Sequence, residues 1–241
     1  MRTLVYGHRG NRAHASENTL LAIELAAEAG ADGVELDVRF TADDRPVIFH
    51  DADLRRLFSD GRLVRETTFD ELRDLRFPDD STIPTLSECL QLCRDLKLQV
   101  ILELKEKGAE QTVVDTVVRA GMTNPVVISS FDKNILLRLK ERTSELIRAV
   151  VIGGRSAVQN WPALLLSPRM TSEHLGVDEV HVETVLLSRP SIRRLTDFGL
   201  SIAAWTVNDA DLARQLAGLG VEKIITDDPG RIVAALRRRD E

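Results

Sequence analysis

The chain is short of cysteine, short of aromatics and free of long apolar runs, and the first and last of these each close off a class of protein. Two cysteines in 241 residues are too few for a disulfide framework, and with no other ligand near them they do not make a zinc site. Cys89 and Cys93 instead share a stripe with Leu86 and Leu90, at spacings of three, four and seven, which reads as buried thiols on one helix face. No stretch approaches the roughly 20 apolar residues of a membrane span. Met1–Val5 leads straight into a strand pattern instead of a signal-peptide apolar segment. The expectation is a cytoplasmic protein without stable membrane insertion. Positive charge is outnumbered, with 32 Lys and Arg against 38 Asp and Glu. A net charge of -6 and a pI near 5.5 argue against a non-specific nucleic-acid binder. The one basic cluster, Arg237–Arg239, reads as a solvated helix end. No internal repeat is visible, and the oligomeric state is not readable from the chain, a homo-oligomer being compatible with it.

What is present is an alternation. With 43% hydrophobic and 29% charged residues, the composition is that of one globular domain able to bury a full core. Strand patterns fall at Leu4–Tyr6, within Ala31–Asp51, and at Gln99–Leu104, Val126–Ser129, Leu146–Ile152, Glu179–Val182, Ser201–Val207 and Lys223–Thr226. Helical stretches separate them, among them Asn18–Ala29, stopped by Gly30, and a helix opened by the Thr85/Glu88 capping box. Gly153–Gly176 is the weakest part, where Trp161, Pro162 and Pro168 are expected to break any long helix. Eight strands, each followed by a helical connection, in a length near ~250 residues predict an α/β fold, a single (β/α)8 TIM barrel spanning 1–241. Residues 53–83, with arginines at 55, 56, 62 and 65, read as a short insertion after the second strand, near the barrel mouth. A doubly wound open sheet is the competing fold, but the glycine-rich phosphate loop it calls for is absent.

The chemistry gathers around ADGVELDVRFTADDRPVIFHD, Ala31–Asp51. A strand's period of two puts Glu35 and Asp37 on one face and Val34, Leu36 and Val38 on the other. Carboxylates forced together are relieved by a shared proton, a nearby base or a bound cation. An ion network with Arg9 or Lys105 is the structural alternative. In a barrel the active site lies where the strands end, so the residues closing each strand can be collected directly. These are His8 and Arg9, Glu35 and Asp37, His50 and Asp51, and Glu103 and Lys105, joined by Trp205, Asn208 and Asp227. Three carboxylates, a divalent cation, Arg9 and Lys105 leave one positive charge to meet a phosphodiester; without the metal the site would carry one negative charge and repel it.

At this point the residues resemble a known family. His8, Arg9 and Gly10; Glu17, Asn18 and Thr19; Glu35, Leu36 and Asp37; His50 and Asp51; Pro84, Thr85 and Leu86; and Glu103, Leu104 and Lys105 together are similar to the glycerophosphodiester phosphodiesterases. The resemblance continues through Ser129, Ser130 and Phe131, then Trp205–Asn208, to Thr226 and Asp227. It implies one divalent cation, Mg2+ or Ca2+, held by Glu35, Asp37 and Glu103, with His8 and His50 as general acid and base. It also implies that Arg9 and Lys105 hold the phosphate and that Trp205 forms an apolar wall against glycerol or the alcohol. The expected reaction is hydrolysis of a small glycerophosphodiester to glycerol 3-phosphate and an alcohol. The chain departs from the family at Ser16, where proline is frequent, and at the Asp44–Arg45 turn, where glycine is common; neither position supplies a ligand.

Other readings stand beside this one. Asn18 suits a helix start as well as a substrate contact, Asp227 suits ordering of the last loop, and His174 and His181 suit surface or packing positions. Lysophospholipase D or phospholipase C-like action on a lipid diester is the nearest functional alternative. A Schiff-base lyase through Lys105 and a non-catalytic phosphate-ligand binding module are the alternatives of another class.

Overall fold

In a computed structural model describing residues 2–108, 110–142 and 146–237, the alternation of strands and helices closes on itself. The strands are β1 (Leu4–His8), β2 (Gly33–Phe40), β3 (Pro46–Ile48), β4 (Gln99–Leu104), β5 (Val126–Ser130), β6 (Ile147–Ile152), β7 (Glu179–Glu183), β8 (Ser201–Trp205) and β9 (Lys223–Thr226). Eight of them pair in parallel in the order β1-β2-β4-β5-β6-β7-β8-β9, and β9 closes against β1. The return segment anticipated within Ala31–Asp51 is β3, an antiparallel strand on β2 that lies outside the ring. The fold is therefore a (β/α)8 barrel.

Strand parity divides the core in two. Val34, Leu36, Val38, Val100, Leu102 and Leu104 point outward and are buried with Ile23, Ala26, Leu86 and Leu90 of the surrounding helices. Tyr6, Ile101, Val127, Ala149, Ala203 and Ile225 point inward and fill the barrel. Gly33 gives the Tyr6 ring room, since a Cβ there would lie 2.5 Å from it. Cys89 and Cys93 sit in the outer cluster on the helix Leu86–Asp95, and burial pushes both thiols up, Cys93 to about 12. A thiol reagent at about pH 8 is therefore expected to leave the native chain unlabelled and to titrate two thiols after denaturation. Rapid native labelling would contradict this packing.

Residues 53–83 carry two short helices, Arg55–Phe58 and Phe69–Arg73, the second opened by the Thr68/Glu71 capping box. Leu54, Val64, Phe69, Leu72, Phe77 and Ile83 form a small core of their own with Val47 and Phe49. Most apolar side chains of this segment are thus spent inside it, Leu63 excepted, and its arginines are left to face outward or toward the barrel.

Two local expectations are corrected. Pro162 does not break its helix, which runs Gly154–Leu166 with the proline inside; proline forfeits one backbone donor there. Pro168 does mark a boundary, at the first turn of Pro168–Leu175. Asn18 does not start the first helix. Thr19 caps Leu20–Glu28, its Oγ1 accepting from Ala22 N at 3.1 Å, and Asn18 takes a left-handed φ of 59° that frees its side chain for the barrel mouth. Among the described residues no helix is long and apolar enough to cross a membrane.

Candidate active site

Register, and not parity alone, assembles the acids. β2 places Glu35 and Asp37 on the inner face, and the ladders set His8 opposite Glu35 and Asp37 opposite Glu103. Carboxylate oxygens of Glu35, Asp37 and Glu103 consequently lie within 4.8 Å of one another. All three are largely out of water, Asp37 being only 1% exposed.

Both cationic neighbours foreseen for these acids are in place. Lys105 Nζ bonds Asp37 Oδ1 at 2.8 Å and also reaches Glu103 Oε1. Arg9 Nη1 pairs with Glu17 Oε1 at 2.7 Å, its Nε lies 3.2 Å from Asp37 Oδ2, and its backbone N–H donates to Glu35. Asn18 brackets Asp37, donating from Nδ2 to Oδ2 at 2.9 Å and accepting from the Asp37 backbone N–H at Oδ1.

The three acids titrate apart. Burial pushes Glu35 well up, aided by Asp37 and Glu103, and burial also raises Glu103 despite Lys105. Burial acts on Asp37 too, yet Lys105 and Arg9 outweigh it and hold Asp37 far below the usual carboxylate range. Two cations therefore satisfy one of the three acids fully and leave the other two short of positive charge. An oxygen-only set of this size and crowding fits a hard divalent cation, which would relieve that shortage.

Each histidine is backed by an aspartate. His8 Nδ1 lies 2.7 Å from Asp227 Oδ1, and Asn208 orders that carboxylate through Nδ2 at 2.8 Å. His50 Nδ1 lies 2.6 Å from Asp51 Oδ1. Ionised aspartate only accepts, so in the neutral ring the proton sits on Nδ1 and Nε2 is left as the acceptor. Burial, with Lys105 and Arg9, keeps His50 below the ordinary histidine range even though Asp37 and Asp51 pull the other way. From residues 53–83, Arg56 reaches Asp51 Oδ2 at 2.6 Å and Glu17 Oε1 at 2.5 Å, so one guanidinium braces the partner of His50 and the partner of Arg9 together.

These groups open on a cavity of about 230 Å³. His8, Arg9, Glu35, His50, Glu103 and Lys105 line it on the side of β1, β2 and β4, and Ser129, Phe131, Val151, His181, Trp205 and Ile225 line the remainder. Trp205 meets Phe131 edge-on at 5.8 Å between centroids. Gly153 makes that position available, because a Cβ there would lie 2.4 Å from the Trp205 ring. A larger groove of about 500 Å³ on the helix layer, between Arg45, Arg94 and Arg119, has neither acid nor histidine in its wall.

All eight residues singled out in the sequence thus meet at one mouth: His8, Arg9, Glu35, Asp37, His50, Glu103, Lys105 and Trp205. Asp51, Asn208 and Asp227, collected with them at the strand ends, are present as well; sequence reasoning gave no place in the site to Arg56 and His181 and named Glu17 only as part of a motif. Nothing distinguishes Arg56 from the other arginines of its segment, and His181 was read as packing.

Histidines carried by β1 and by the segment after β3 thus turn toward one cavity together with Arg9, Lys105 and buried carboxylates, at the mouth of a (β/α)8 barrel, and the class this chain falls in is that of the phosphoric diester hydrolases. The family follows from likeness to known proteins. Residues 8–231 match the profile of the glycerophosphoryl diester phosphodiesterase family, and the chain belongs to that family. A glycerophosphodiester phosphodiesterase of Caldanaerobacter subterraneus subsp. tengcongensis is 29% identical, over 99% of this chain and 99% of its own. Among solved structures, an Oleispira antarctica phosphodiesterase in complex with the product sn-glycerol-3-phosphate has a TM-score of 0.87 at 27% identity, over 98% of each chain. A glycerophosphodiester phosphodiesterase from Thermotoga maritima has a TM-score of 0.82 at 30% identity, over 98% of this chain and 99% of that one.

Proposed function

We propose that the chain, as a single domain with residues 53–83 inserted at the mouth, hydrolyses small glycerophosphodiesters to glycerol 3-phosphate and an alcohol with the help of one divalent cation. The observation that carries this reading is the pair of aspartate-backed histidines bordering the same cavity as the buried acids. Arg9 and Lys105 hold the non-bridging oxygens of the phosphoryl group. One histidine removes a proton at Nε2 from the attacking oxygen, of water or of the neighbouring glycerol hydroxyl, and the other delivers a proton from Nε2 to the departing alkoxide. Asp51 and Asp227 accept from Nδ1–H of both rings, so the neutral ring has Nε2 free to take the proton, and the ring acting as acid starts as the imidazolium with a second proton on Nε2. Trp205 and Phe131 cover the apolar face of the glycerol carbons and keep water off that side. A cation held by Glu35, Asp37 and Glu103, Mg2+ or Ca2+, supplies Lewis acidity toward the phosphoryl oxygens.

Two features speak against the alternatives. Burial would lower Lys105, but Asp37 and Glu103 raise it above the ordinary range, which favours the ammonium ion over the amine nucleophile of a lyase. A lipid-sized substrate needs a contiguous apolar access surface, whereas in residues 53–83 most of the larger apolar side chains pack into their own cluster and Leu63 alone is exposed.

The direct test is glycerol 3-phosphate release from glycerophosphocholine and glycerophosphoethanolamine, after chelation and then with Mg2+ or Ca2+ restored. Release only with a cation supports the reading. A folded sample that releases nothing with either cation would redirect attention to lipid diesters, then to simple binding.

The cation set has its own test. Glu35 and Glu103 are raised in the fold, so they bind protons more tightly folded than unfolded. Their contribution to stability is present below the usual carboxylate range and is lost as pH rises through their folded values. The chelated protein is therefore expected to lose stability at these positions as pH rises above the usual carboxylate range. Added Mg2+ or Ca2+ should raise the melting temperature more at pH 8 than at pH 5. Equal shifts at both would remove Glu35 and Glu103 from the set.

A further inference from the structure

The inner face of β7 carries a group that the mechanism does not use. His181 is 2% exposed, yet its ring borders the cavity. In the ring order β7 stands four strands from β2 in either direction, so His181 faces the acids and the phosphate-holding cations from across the barrel. Its lateral neighbours in the sheet are Val151 and Ala203, and Trp205 lies two residues above Ala203 on the same face. The small Ala203 side chain leaves space beside the ring.

The protonation pattern of this ring is set from below. Glu179, also on the inner face, lies 3.2 Å from His181 Nε2, and its other oxygen is paired with Lys223 Nζ. Burial raises Glu179, but His181 and Lys223 more than offset this and keep it ionised, so it can only accept. Burial holds His181 below the ordinary histidine range, which makes the ring neutral at physiological pH. A neutral ring that donates from Nε2 has its acceptor at Nδ1. That nitrogen has no hydrogen bond to any described residue. That position is open to the cavity the ring borders and not sealed in the core, so a ligand hydroxyl there can donate to it.

We propose that His181 is a specificity-determining residue, its Nδ1 accepting a hydrogen bond from a hydroxyl of the glycerol moiety. This rests on the function proposed above and deepens it. With the phosphoryl group held on the side of β1, β2 and β4, a glycerol unit extends across the cavity beneath Trp205 and reaches β7. The Lys223–Glu179 pair acts as a positioning device that commits the proton to Nε2. The ligand class is a phosphodiester whose other ester arm bears free hydroxyls; an arm without them leaves Nδ1 unpaired.

The experiment compares kcat/KM for glycerophosphoethanolamine with kcat/KM for bis(p-nitrophenyl) phosphate, which has no hydroxyl, in two variants of opposite design. His181→Gln can still donate to Glu179 but offers no acceptor at the Nδ1 position. His181→Asn places its Oδ1 near that position and gives up the bond to Glu179. The glycerol-to-nitrophenyl ratio is expected to fall by about 10- to 100-fold in His181→Gln and to stay within roughly threefold of the parent in His181→Asn. The reverse order, or an unchanged ratio in both, overturns the proposal and assigns His181 to holding Glu179. The parent protein supplies a check that needs no variant: glycerol diesters lacking one hydroxyl should include one that is slower by the same factor, and equal rates for all of them would count against the proposal. A parent that hydrolyses the nitrophenyl diester but not the glycerol diester refutes the specificity alone. A folded parent that hydrolyses neither refutes the underlying function and the proposal with it.

Discussion

Alanine in place of either His8 or His50 is expected to lower kcat on a glycerophosphodiester by about 10²- to 10⁴-fold, with the circular dichroism of the parent retained. Both rings stand at the mouth, and each aspartate left behind has a second partner, Asn208 for Asp227 and Arg56 for Asp51. The fold therefore does not depend on them. The same variants separate acid from base. A p-nitrophenyl ester of glycerol phosphate has a leaving group that departs without a proton. Loss of the general acid should be largely rescued with that substrate, and loss of the general base should not. His50 is held below 6.5 by burial and the neighbouring cations, so if it is the base, the acidic limb of kcat/KM lies below that value and activity is full at neutral pH. Near-normal turnover in both alanine variants would end the acid and base assignment.

Removing Asp37 should damage both stability and activity. Its carboxylate takes a bond from Lys105 at 2.8 Å and from Asn18 at 2.9 Å, and Arg9 Nε lies 3.2 Å away. In Asp37→Ala the two cations face each other in a buried place with no shared counter-charge. Breaking such a network by deleting one partner costs on the order of 3–5 kcal/mol, which at this chain length lowers the melting temperature by roughly 10 °C. Turnover should fall at least as far as in the histidine variants, since the same change loosens Arg9 and Lys105. Glu35→Gln gives the opposite thermal result. Glu35 is already pushed toward its protonated form, so a neutral amide should keep or raise the melting temperature in chelator while removing the metal-induced rise. Thermal melts of both variants in chelator decide this, and an Asp37→Ala melt within 2 °C of the parent would show that the network is not what holds these cations.

Properties with a local cause were legible in the chain. The period of two separates Glu35 and Asp37 from Val34, Leu36 and Val38 within a single strand, with no knowledge of the partner strands. The capping box at Thr85 sets its two partners only three positions apart, and it opens a helix where that spacing put one. Barrel symmetry then collects whatever stands at the strand ends, which is why eight residues spread from His8 to Trp205 could be assigned to one mouth.

What the tertiary structure alone decided involves groups distant in sequence whose meeting depends on closure, register or side-chain reach. Asp227 becomes the partner of His8 across 219 positions only because β9 closes on β1. Arg56 becomes the brace of Asp51 and Glu17 because residues 53–83 pack most of their apolar side chains into a cluster of their own and turn this one guanidinium toward the mouth. His181 changes from a packing residue to a wall of the cavity because β7 lies across the barrel from β2. Parity is written into each strand by the geometry of the peptide chain, whereas those three contacts exist only once the ring is closed and a low-dielectric interior makes every unpaired polar group costly.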